Sequence, residues 1–340
     1  MKLLREFNIE RKKVSREGSA YIIAEIGVNH NGSESNCKKL LYAAWKSGAD
    51  AAKLQIANPQ LSYGRNHPSF KEFKNKFLSD QSLKKLQKYS KSLGISLFAT
   101  PGDFESLERI CKIKMPAIKI SSGLLTNLPL IMEASKKNVP IILSTGMSYF
   151  KEILEAVNIS KKYQNKIIIL KCTSIYPAPA ETLNLKGIST LKKRFNIPIG
   201  YSDHCLGIDS AVNAVALGAT IIEKHFTLNK SLKGADHKIS LEPTEFKEMV
   251  KKIRLIEQMR GKSNIAPTKI EEKNRKRSYR KIVTFKKILI GEKFSKKNIV
   301  FKRMVSSKQG FKPEYFFKIN GKKAKKNFSS DHILTFNDLK

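Results

Sequence analysis

The sequence predicts an α/β protein with a (β/α)8 TIM barrel followed by a small β-rich domain. Eight short runs rich in Ile, Val and Ala alternate with amphipathic segments of helical period between residues 21 and 260. Continuously apolar strands separated by helices are typical of a parallel sheet covered on both faces. Nearly every strand candidate also ends in polar residues, and in a barrel such strand ends meet at the face that holds the active site. A doubly wound open sheet is the alternative, because eight strands do not by themselves prove closure.

The elements follow one another in a regular order. A ribbon is expected at about residues 3–18, and the eight barrel strands are predicted at 21–27, 51–57, 96–101, 117–122, 140–146, 166–174, 198–204 and 220–227. Helical segments lie between these strands, and the eighth helix is predicted over about 243–260, where apolar residues recur with the period of a helix. The barrel domain is therefore expected to span residues 1–261.

The chain beyond the barrel differs in character. Residues 262–281 are polar and highly charged, which predicts a linker. Residues 282–340 contain short apolar runs, as in IVTFKKILIGEKFSKKNIVFKRM, and are numerous enough only for a small β-rich module.

The composition is strongly basic, with 65 Lys and Arg against 29 Asp and Glu and a formal net charge of +36. Such a balance favours a nucleic-acid or anionic-membrane partner. Only 12 of these residues are Arg, however, and Arg is the side chain that supplies bidentate forks to bases and phosphates. We therefore expect neither nucleic acid nor membrane as a partner and attribute the excess to a Lys-rich composition. A nucleic-acid-binding or envelope-anchoring tail on an inert barrel is the alternative.

The cysteines and the apolar segments predict a cytoplasmic location. The four cysteines form no CxxC pair, and a chain of this length needs no disulfides to be stable. The N-terminal residues lack the apolar region of a signal peptide, and no apolar run is long enough to span a membrane.

Two histidines end neighbouring strands of the predicted barrel, His204 in YSDH and His225 in EKHF. Because adjacent strands end side by side, the two imidazoles can share one divalent ion and leave coordination positions open for water or substrate. The sequence therefore predicts a catalytic metal site. Two rim histidines without a metal are the alternative.

Cationic and hydroxyl side chains at other strand ends form a second set. Its members are Lys53, Thr100, Lys119, Ser122, Ser144, Ser174 and Ser202. Such a set can surround a phosphate or a carboxylate. The acidic residues Glu25 and Asp236 lie amid this positive set and can act as acid, base or acceptor of sugar hydroxyls. No GxxxxGK[ST] or strand-linked GxGxxG motif occurs, so the nucleotide-binding folds are unsupported.

Several longer motifs are recognisable in collinear order. They include AEIGVNHNGS, AAKLQ, IKISSG, STGM, LKCTSIYPAP, GYSDHCLGID, ATIIEKHFTL and GADHKISLEP, between about residues 20 and 250. On these motifs the chain resembles the sialic acid synthase family, which includes N-acetylneuraminate, legionaminate and pseudaminate synthases. The tail, with GFKPEYF and INGKKA, resembles the antifreeze-like (SAF, β-clip) domain of that family.

The resemblance implies a reaction in which phosphoenolpyruvate condenses with an N-acetylated amino sugar such as N-acetylmannosamine. The products are a nine-carbon 2-keto sugar acid and phosphate, and the cofactor is Mn²⁺ or Mg²⁺. His204 and His225 match the metal ligands. The seven cationic and hydroxyl residues of the second set match positions around phosphoenolpyruvate. The positions that face the sugar and the reacting carbons are matched by Glu25, Gln55, Tyr176 and Asp236.

The resemblance also implies a homodimer in which the SAF domain covers the active site of the partner subunit. Arg303 matches a tail arginine that reaches the N-acyl group of the sugar across this dimer, and Tyr279 matches an aromatic cap.

Some positions depart from the family pattern. Residues 303–310, RMVSSKQG, replace an Arg-Pro-Gly-x-Gly motif, and ATPGD lacks the aromatic residue that commonly follows Thr-Pro. The motifs favour an N-acetylneuraminate or legionaminate synthase over a pseudaminate synthase, and both remain open. Another phosphoenolpyruvate-condensing barrel that acts on phosphorylated sugars, such as a 3-deoxy-octulosonate phosphate synthase, is a further alternative.

Overall fold

The computed structural model describes residues 1–261, 263–305 and 309–340. The chain forms two compact units, Met1–Gly261 and Lys262–Lys340. The first unit opens with an antiparallel ribbon of β1 (Glu6–Ile9) and β2 (Lys12–Ser15), at the place where the sequence predicts one.

Eight parallel strands close into a barrel in the first unit. They are β3 (Tyr21–Gly27), β4 (Ala51–Ile56), β5 (Ser96–Pro101), β6 (Ile118–Ile120), β7 (Ile141–Ser144), β8 (Ile167–Cys172), β9 (Ile199–Asp203) and β10 (Ile221–His225). Each strand pairs with the next one along the chain, and β10 pairs in parallel with β3. The predicted barrel is therefore confirmed, and the open-sheet alternative is wrong.

Helices surround the barrel. They are α1 (Glu34–Lys46), α2 (Pro59–Ser62), α3 (Pro68–Lys74), α4 (Asp80–Leu93), α5 (Phe104–Lys112), α6 (Leu128–Ser135), α7 (Phe150–Tyr163), α8 (Lys186–Arg194), α9 (Asp209–Ala216) and α10 (Pro243–Arg260). Local sequence fixes several helix starts, because Ser33, Ser79 and Asp103 each accept a hydrogen bond from a backbone N–H in the first turn. The short helices α2 and α3 fold within the connection after β4.

The interior of the barrel changes character along the strands. Apolar side chains such as Ile23, Phe98 and Ile142 are fully buried in its lower part. Near the carboxyl ends of the strands, Lys119 on β6 lies 3.6 Å from Glu223 on β10. Since β6 and β10 are not neighbours in the sheet, these two side chains meet inside the barrel.

The second unit is small and has a core of its own. The antiparallel strands β11 (Lys281–Thr284) and β12 (Ile299–Lys302) pair with each other, and a short helix α12 spans Phe316–Ile319. Its core is formed by Ile282, Ile288, Phe294, Ile299, Phe311, Phe316, Ile319, Ala324, Phe328 and Leu334. Residues 262–281, predicted as a linker, contain the helix α11 (Lys269–Ser278), which begins with a capping box of Thr268 and Glu271.

No helix in the described part of the chain is both long enough and apolar enough to cross a membrane.

Candidate active site

Four charged side chains meet inside the upper end of the barrel, and we call them the inner cluster: Glu25, Lys53, Lys119 and Glu223. Lys53 Nζ is paired with Glu25 and donates to Thr100 Oγ1 at 3.2 Å. Glu223 lies between the two lysines, 3.9 Å from Lys53 Nζ and 3.6 Å from Lys119 Nζ. All four side chains are almost completely buried, so their charges act on one another with little screening by water.

Glu25 and Glu223 are both buried, but their pKa values are shifted in opposite directions. Burial raises the pKa of Glu25 to about 7, because the nearby Lys53 offsets only part of the cost of burying its charge. Burial also acts on Glu223, but Lys119 and Lys53 outweigh it, and the pKa of Glu223 falls to about 2. One carboxyl group is thus held ionised, and the other is set near neutrality, which suits proton transfer.

Hydroxyl groups line the wall beside Lys119. The backbone N–H of Gly146 donates to Ser122 Oγ at 3.0 Å. A Cβ atom at Gly146 would lie 2.1 Å from Ser174 Oγ and 2.8 Å from Ser122 Oγ, so the glycine lets these two hydroxyls come together. Ser144 Oγ is buried without a hydrogen-bond partner among the described residues, and Ser202 Oγ donates to Glu223 at 2.9 Å. A buried hydroxyl group without a hydrogen-bond partner is expected where a ligand completes the site.

The two histidines lie side by side, with their ring centroids 5.4 Å apart. His204 Nδ1 donates to the carbonyl oxygen of Thr173 at 2.7 Å, which orients the ring and makes Nε2 the nitrogen that carries the lone pair when the ring is neutral. His225 Nδ1 is buried without a hydrogen-bond partner in the described part of the chain, and Asp236 Oδ2 lies 3.7 Å from it. Burial lowers the pKa of His225 to about 4, so this imidazole is neutral at physiological pH.

These features fit a divalent metal held by two imidazoles. A ring oriented by a backbone carbonyl and a second, neutral ring with an orphaned nitrogen are the properties of metal-binding histidines. Among the described residues, no group of three or more His, Cys, Asp or Glu side chains is arranged to hold an ion. Water or substrate would have to complete the coordination sphere.

The predicted sugar-facing residues surround Gly27, which has a positive φ of 44°. A Cβ atom there would lie 2.7 Å from Glu25 Oε1, 3.3 Å from Gln55 Nε2 and 3.6 Å from Asp236 Oδ2. Gln55 also donates to Glu25 Oε1 at 3.2 Å. The structure therefore brings Glu25, Gln55 and Asp236 together around a space that only glycine leaves open.

Tyr176 completes this side of the site. Its ring lies 4.1 Å from the ring of His204 between centroids, and 53% of the residue is exposed. A half-exposed aromatic ring above the two histidines forms a wall between the buried charges and the solvent.

A cavity of about 700 Å³ opens beside these groups. Five predicted site residues line it: Gln55, Thr100, Ser122, Ser174 and Tyr176. The opposite wall comes from the connection after β4, where the Tyr63 ring packs against the rings of His67 and Phe73. This volume is typical of small-molecule sites.

Gly102 explains one departure in the sequence. A Cβ atom at Gly102 would lie 2.6 Å from Ala57 Cβ and 2.8 Å from Ser62 Oγ. The end of helix α2 therefore occupies the space that a side chain after Thr100-Pro101 would need, and Ser62 donates to Asp103 at 2.7 Å to hold it there.

Two predicted sugar-binding residues belong to the second unit. Tyr279 ends helix α11 and lies under the guanidinium group of Arg275, which is 4.5 Å from its ring centroid. Arg303 follows β12 and is exposed. The altered segment after Arg303 includes residues 306–308, which lie outside the described residues.

Two residues of the site carry no role in the sequence predictions. Glu223 is two positions before His225 on β10, and this spacing places both side chains on the same face of the strand. This alternation along the strand is the sequence signal that could have identified Glu223 as a site residue. Cys172 Sγ lies 3.7 Å from His204 Nδ1, a contact between β8 and the end of β9 that no sequence pattern indicates. Burial raises the pKa of this thiol, but His204, Ser122 and Lys119 outweigh it, and the net direction is downward.

The fold and the site together define a (β/α)8 barrel protein in which buried lysines and hydroxyl groups lie near a pair of histidines at the carboxyl ends of the strands. The NeuB family profile matches residues 40–265. The chain is 41% identical to an uncharacterized protein of Methanocaldococcus jannaschii over 99% of both chains, and 40% identical to the N,N'-diacetyllegionaminic acid synthase of Campylobacter jejuni over 92% of this chain and 98% of that protein.

A solved structure of a sialic acid synthetase is also similar to this chain. The sialic acid synthetase of Leptospira borgpetersenii, crystallised in complex with citrate, superposes with a TM-score of 0.77 at 33% identity and covers 80% of this chain and 96% of its own. The chain belongs to the NeuB family, whose named members include sialic, legionaminic and pseudaminic acid synthases.

Proposed function

We propose that this protein condenses phosphoenolpyruvate with an N-acetylated amino sugar and releases a nine-carbon 2-keto sugar acid and phosphate. The observation that carries the proposal is the inner cluster beside the two histidines at the carboxyl end of the barrel. The buried lysines, the serine hydroxyl without a partner and the neutral histidine support a site that an anionic ligand and a cation would complete.

The lysines and hydroxyls bind the enol phosphate in this proposal. Lys119 supplies a point charge to the phosphate, and Ser122, Ser144 and Ser174 supply neutral donors around it. Lys53 and Thr100, already 3.2 Å apart, hold the carboxylate. Ser202 keeps Glu223 in place, and the ionised Glu223 prevents the two lysines from repelling each other.

His204 and His225 hold a divalent ion, Mn²⁺ or Mg²⁺, in the proposed enzyme. When bound, the ion supplies Lewis acidity that polarises the aldehyde oxygen of the sugar. Thr173 fixes the ring of His204, and Asp236 lies close enough to orient the ring of His225 and to accept a sugar hydroxyl.

Glu25 moves the proton in the proposed mechanism. C3 of the enol phosphate attacks the aldehyde carbon, which leaves positive character at C2 that the carboxylates of Glu25 and Glu223 stabilise. Water then adds at C2, and Glu25 takes its proton, because a carboxylate whose pKa is near 7 is an effective base at neutral pH. The alkoxide on the former aldehyde carbon takes up the proton that Glu25 has accepted. The C2–O bond to phosphate then breaks, and the C2 hydroxyl becomes the ketone as its proton leaves with the phosphate.

We propose that the active form is a homodimer whose SAF-type second unit covers the site of the partner subunit. Large apolar residues on the loops after β7, β8 and β9 support this, because Met147, Tyr149, Ile175 and Leu206 are 72%, 80%, 45% and 63% exposed beside the site. Arg303 would then meet the N-acyl group of the sugar. Arg303→Ala should raise the KM for the sugar and leave the KM for phosphoenolpyruvate unchanged, and an unchanged sugar KM would refute this arrangement.

The acceptor is an N-acetylmannosamine-type or legionaminate-type sugar in this proposal, with the pseudaminate-type sugar as the second candidate. The test measures phosphate release from phosphoenolpyruvate with Mn²⁺ and a panel of N-acetylated sugars, followed by the mass of the product. A matched arm with phosphorylated pentoses tests the octulosonate-type alternative. Phosphate release with phosphorylated pentoses alone would overturn the proposed function.

A further inference from the structure

A groove between helices α7 and α8 holds a lysine that the proposed reaction does not use. Lys171 lies on β8 next to Cys172. Because Cys172 contacts His204 and alternate residues of a strand face opposite sides, Lys171 points out of the barrel toward the helices. A Cβ atom at Gly187 of α8 would lie 3.2 Å from Lys171 Cε, so the glycine makes room for the lysine stem.

Lys171 is half-buried, and it differs from the fully buried lysines of the first unit because it lacks a carboxylate partner among the described residues. Lys53 is paired with Glu25, Lys119 lies 3.6 Å from Glu223, and Lys224 lies 2.7 Å from Asp203. Lys171 forms no ion pair with any carboxylate of residues 1–261, 263–305 and 309–340. Its Nζ donates to the carbonyl oxygen of Cys172 at 3.0 Å and to Thr173 Oγ1 at 3.4 Å.

The missing partner has an energetic consequence. Burial lowers the pKa of Lys171, since a partly desolvated ammonium group with only neutral acceptors is less stable than one in water. An anion placed against Nζ would reverse this cost.

The groove has room for such an anion. It encloses about 520 Å³ beside Lys171, which is within the range of small-molecule sites. Hydroxyl-bearing residues line it on several sides: Thr145, Ser148, Thr173, Ser174, Thr182 and Thr190. Phe150 and Leu191 add an apolar patch. One cation, many hydroxyls and an apolar patch suit a small organic anion that carries hydroxyl groups.

We propose that this groove, which adjoins the candidate active site, is a second ligand site for a small hydroxylated anion whose carboxylate or phosphate pairs with Lys171. The groove and the active-site cavity share Met147 and Ser174 in their walls, whereas Lys171 lines the groove and not the active-site cavity. The proposal does not depend on the proposed reaction.

The first experiment uses the wild-type protein. Lysines are acylated with an amine reagent in the presence and absence of two probes, inorganic phosphate and N-acetylneuraminate, and the modified peptides are quantified by mass spectrometry. We expect at least one probe to slow the acylation of Lys171 about tenfold and to leave that of the exposed Lys186 on helix α8, which borders the groove, unchanged. Equal acylation of Lys171 with and without both probes would overturn the proposal.

The second experiment separates the groove from the active site and identifies the favoured anion. Probe binding is measured by calorimetry on Lys119→Met, which lacks a cation of the active site, and on that variant combined with Lys171→Met or, as the control, Lys186→Met. We expect Lys171→Met to weaken binding about tenfold or more and Lys186→Met to leave it unchanged. Stronger phosphate binding identifies a phosphate ligand, and stronger N-acetylneuraminate binding identifies a carboxylate. Equal affinities in the two double variants would refute the site.

Discussion

Two buried charged groups lie near the carboxyl ends of the barrel strands and meet on opposite faces of β10. The inner cluster, defined above, faces the barrel interior. The second group, which we call the outer pair, consists of Asp203 on β9 and Lys224 on β10, and it faces the helices. Each residue of the outer pair is adjacent in sequence to one of the two histidines. The outer pair is therefore attached to the same stretches of backbone that carry His204 and His225.

The two groups differ in how completely their polar atoms are satisfied. Asp203 accepts from Lys224 at 2.7 Å, from Ser210 at 2.6 Å and from the backbone N–H of Cys205 at 3.0 Å. Lys224 also donates to the Cys205 carbonyl oxygen at 2.5 Å. Around the inner cluster, by contrast, Glu223 Oε2, Ser144 Oγ and His225 Nδ1 are buried without hydrogen-bond partners in the described part of the chain.

This difference separates structure from function. A buried ion pair with every atom satisfied can fix the ends of β9 and β10 and thereby the spacing of His204 and His225. A buried cluster with unsatisfied atoms costs stability and is retained where a ligand completes it. We infer that the outer pair holds the backbone of the site in place and that the inner cluster takes part in binding the ligand.

The largest expected effect on activity concerns the two histidines, which lie beside the inner cluster. His204→Ala and His225→Ala should each abolish metal-dependent phosphate release, because each removes one of two proposed ligands. The unfolding midpoint without added metal should change little, since neither imidazole ring forms a hydrogen bond with the outer pair. Metal affinity measured by calorimetry provides a readout that does not depend on catalysis. Wild-type activity in either variant would contradict the metal assignment.

The second prediction addresses the outer pair. Lys224→Met should lower the free energy of unfolding by about 3–5 kcal/mol, because it leaves the Asp203 carboxylate buried without its cation. Urea unfolding measures this change. Lys230→Met is the matched control, since Lys230 forms a partly exposed pair with Glu245 at 2.6 Å and should lose no more than about 1 kcal/mol. A similar loss in both variants would remove the distinction between the groups.

The third prediction concerns the pH dependence of stability in the inner cluster. The folded-state pKa of Glu25 is raised from 4.5 to about 7, so its protonated form favours the folded state. This contribution is fully present below about pH 4.5 and is lost as the pH rises through 7. The free energy of unfolding of the wild type, compared with Glu25→Gln, should therefore fall by up to about 3 kcal/mol across this range. A pH-independent difference between the two proteins would argue against the raised pKa.

The smallest expected effect is steric and confined to the sugar side. Gly27→Ala introduces a methyl group 2.7 Å from Glu25 Oε1 at a position with positive φ, so it should raise the KM for the sugar several-fold and destabilise the protein by about 1 kcal/mol. The KM for phosphoenolpyruvate should stay unchanged, because the phosphate-facing hydroxyls lie on other strands. Steady-state kinetics with each substrate varied in turn checks this. An equal rise in both KM values would mean that the whole barrel mouth has shifted.

Much of the fold follows from local patterns. The apolar runs predict all eight barrel strands to within about three residues at either end, and helix α10 matches its predicted bounds. The connection after β4 is harder, because α2 and α3 are too short for a periodic signal and because the position of α2 depends on contacts with Gly102 and Asp103.

Some residues of the candidate site are likewise predictable from the sequence, and others are not. His204, His225 and the lysines are readable because polar residues stand out at the ends of apolar strands. Glu223 is less readable, since its role depends on two lysines that lie far from it in sequence. Other features depend on residues that are distant in the sequence, so no short stretch of it predicts them. They are the buried atoms without hydrogen-bond partners, the different pKa values of Glu25 and Glu223, and the absence of a carboxylate partner for Lys171 among the described residues.

The sequence by itself therefore determined the strand and helix rhythm, the family and the residue types at the strand ends, because each of these depends on local periodicity or on short motifs. Only the tertiary structure decided that the sheet closes, which charges share a buried volume and which of them lack partners. Closure and pairing depend on residues far apart in the chain, and the electrostatic cost of a buried charge depends on everything that surrounds it.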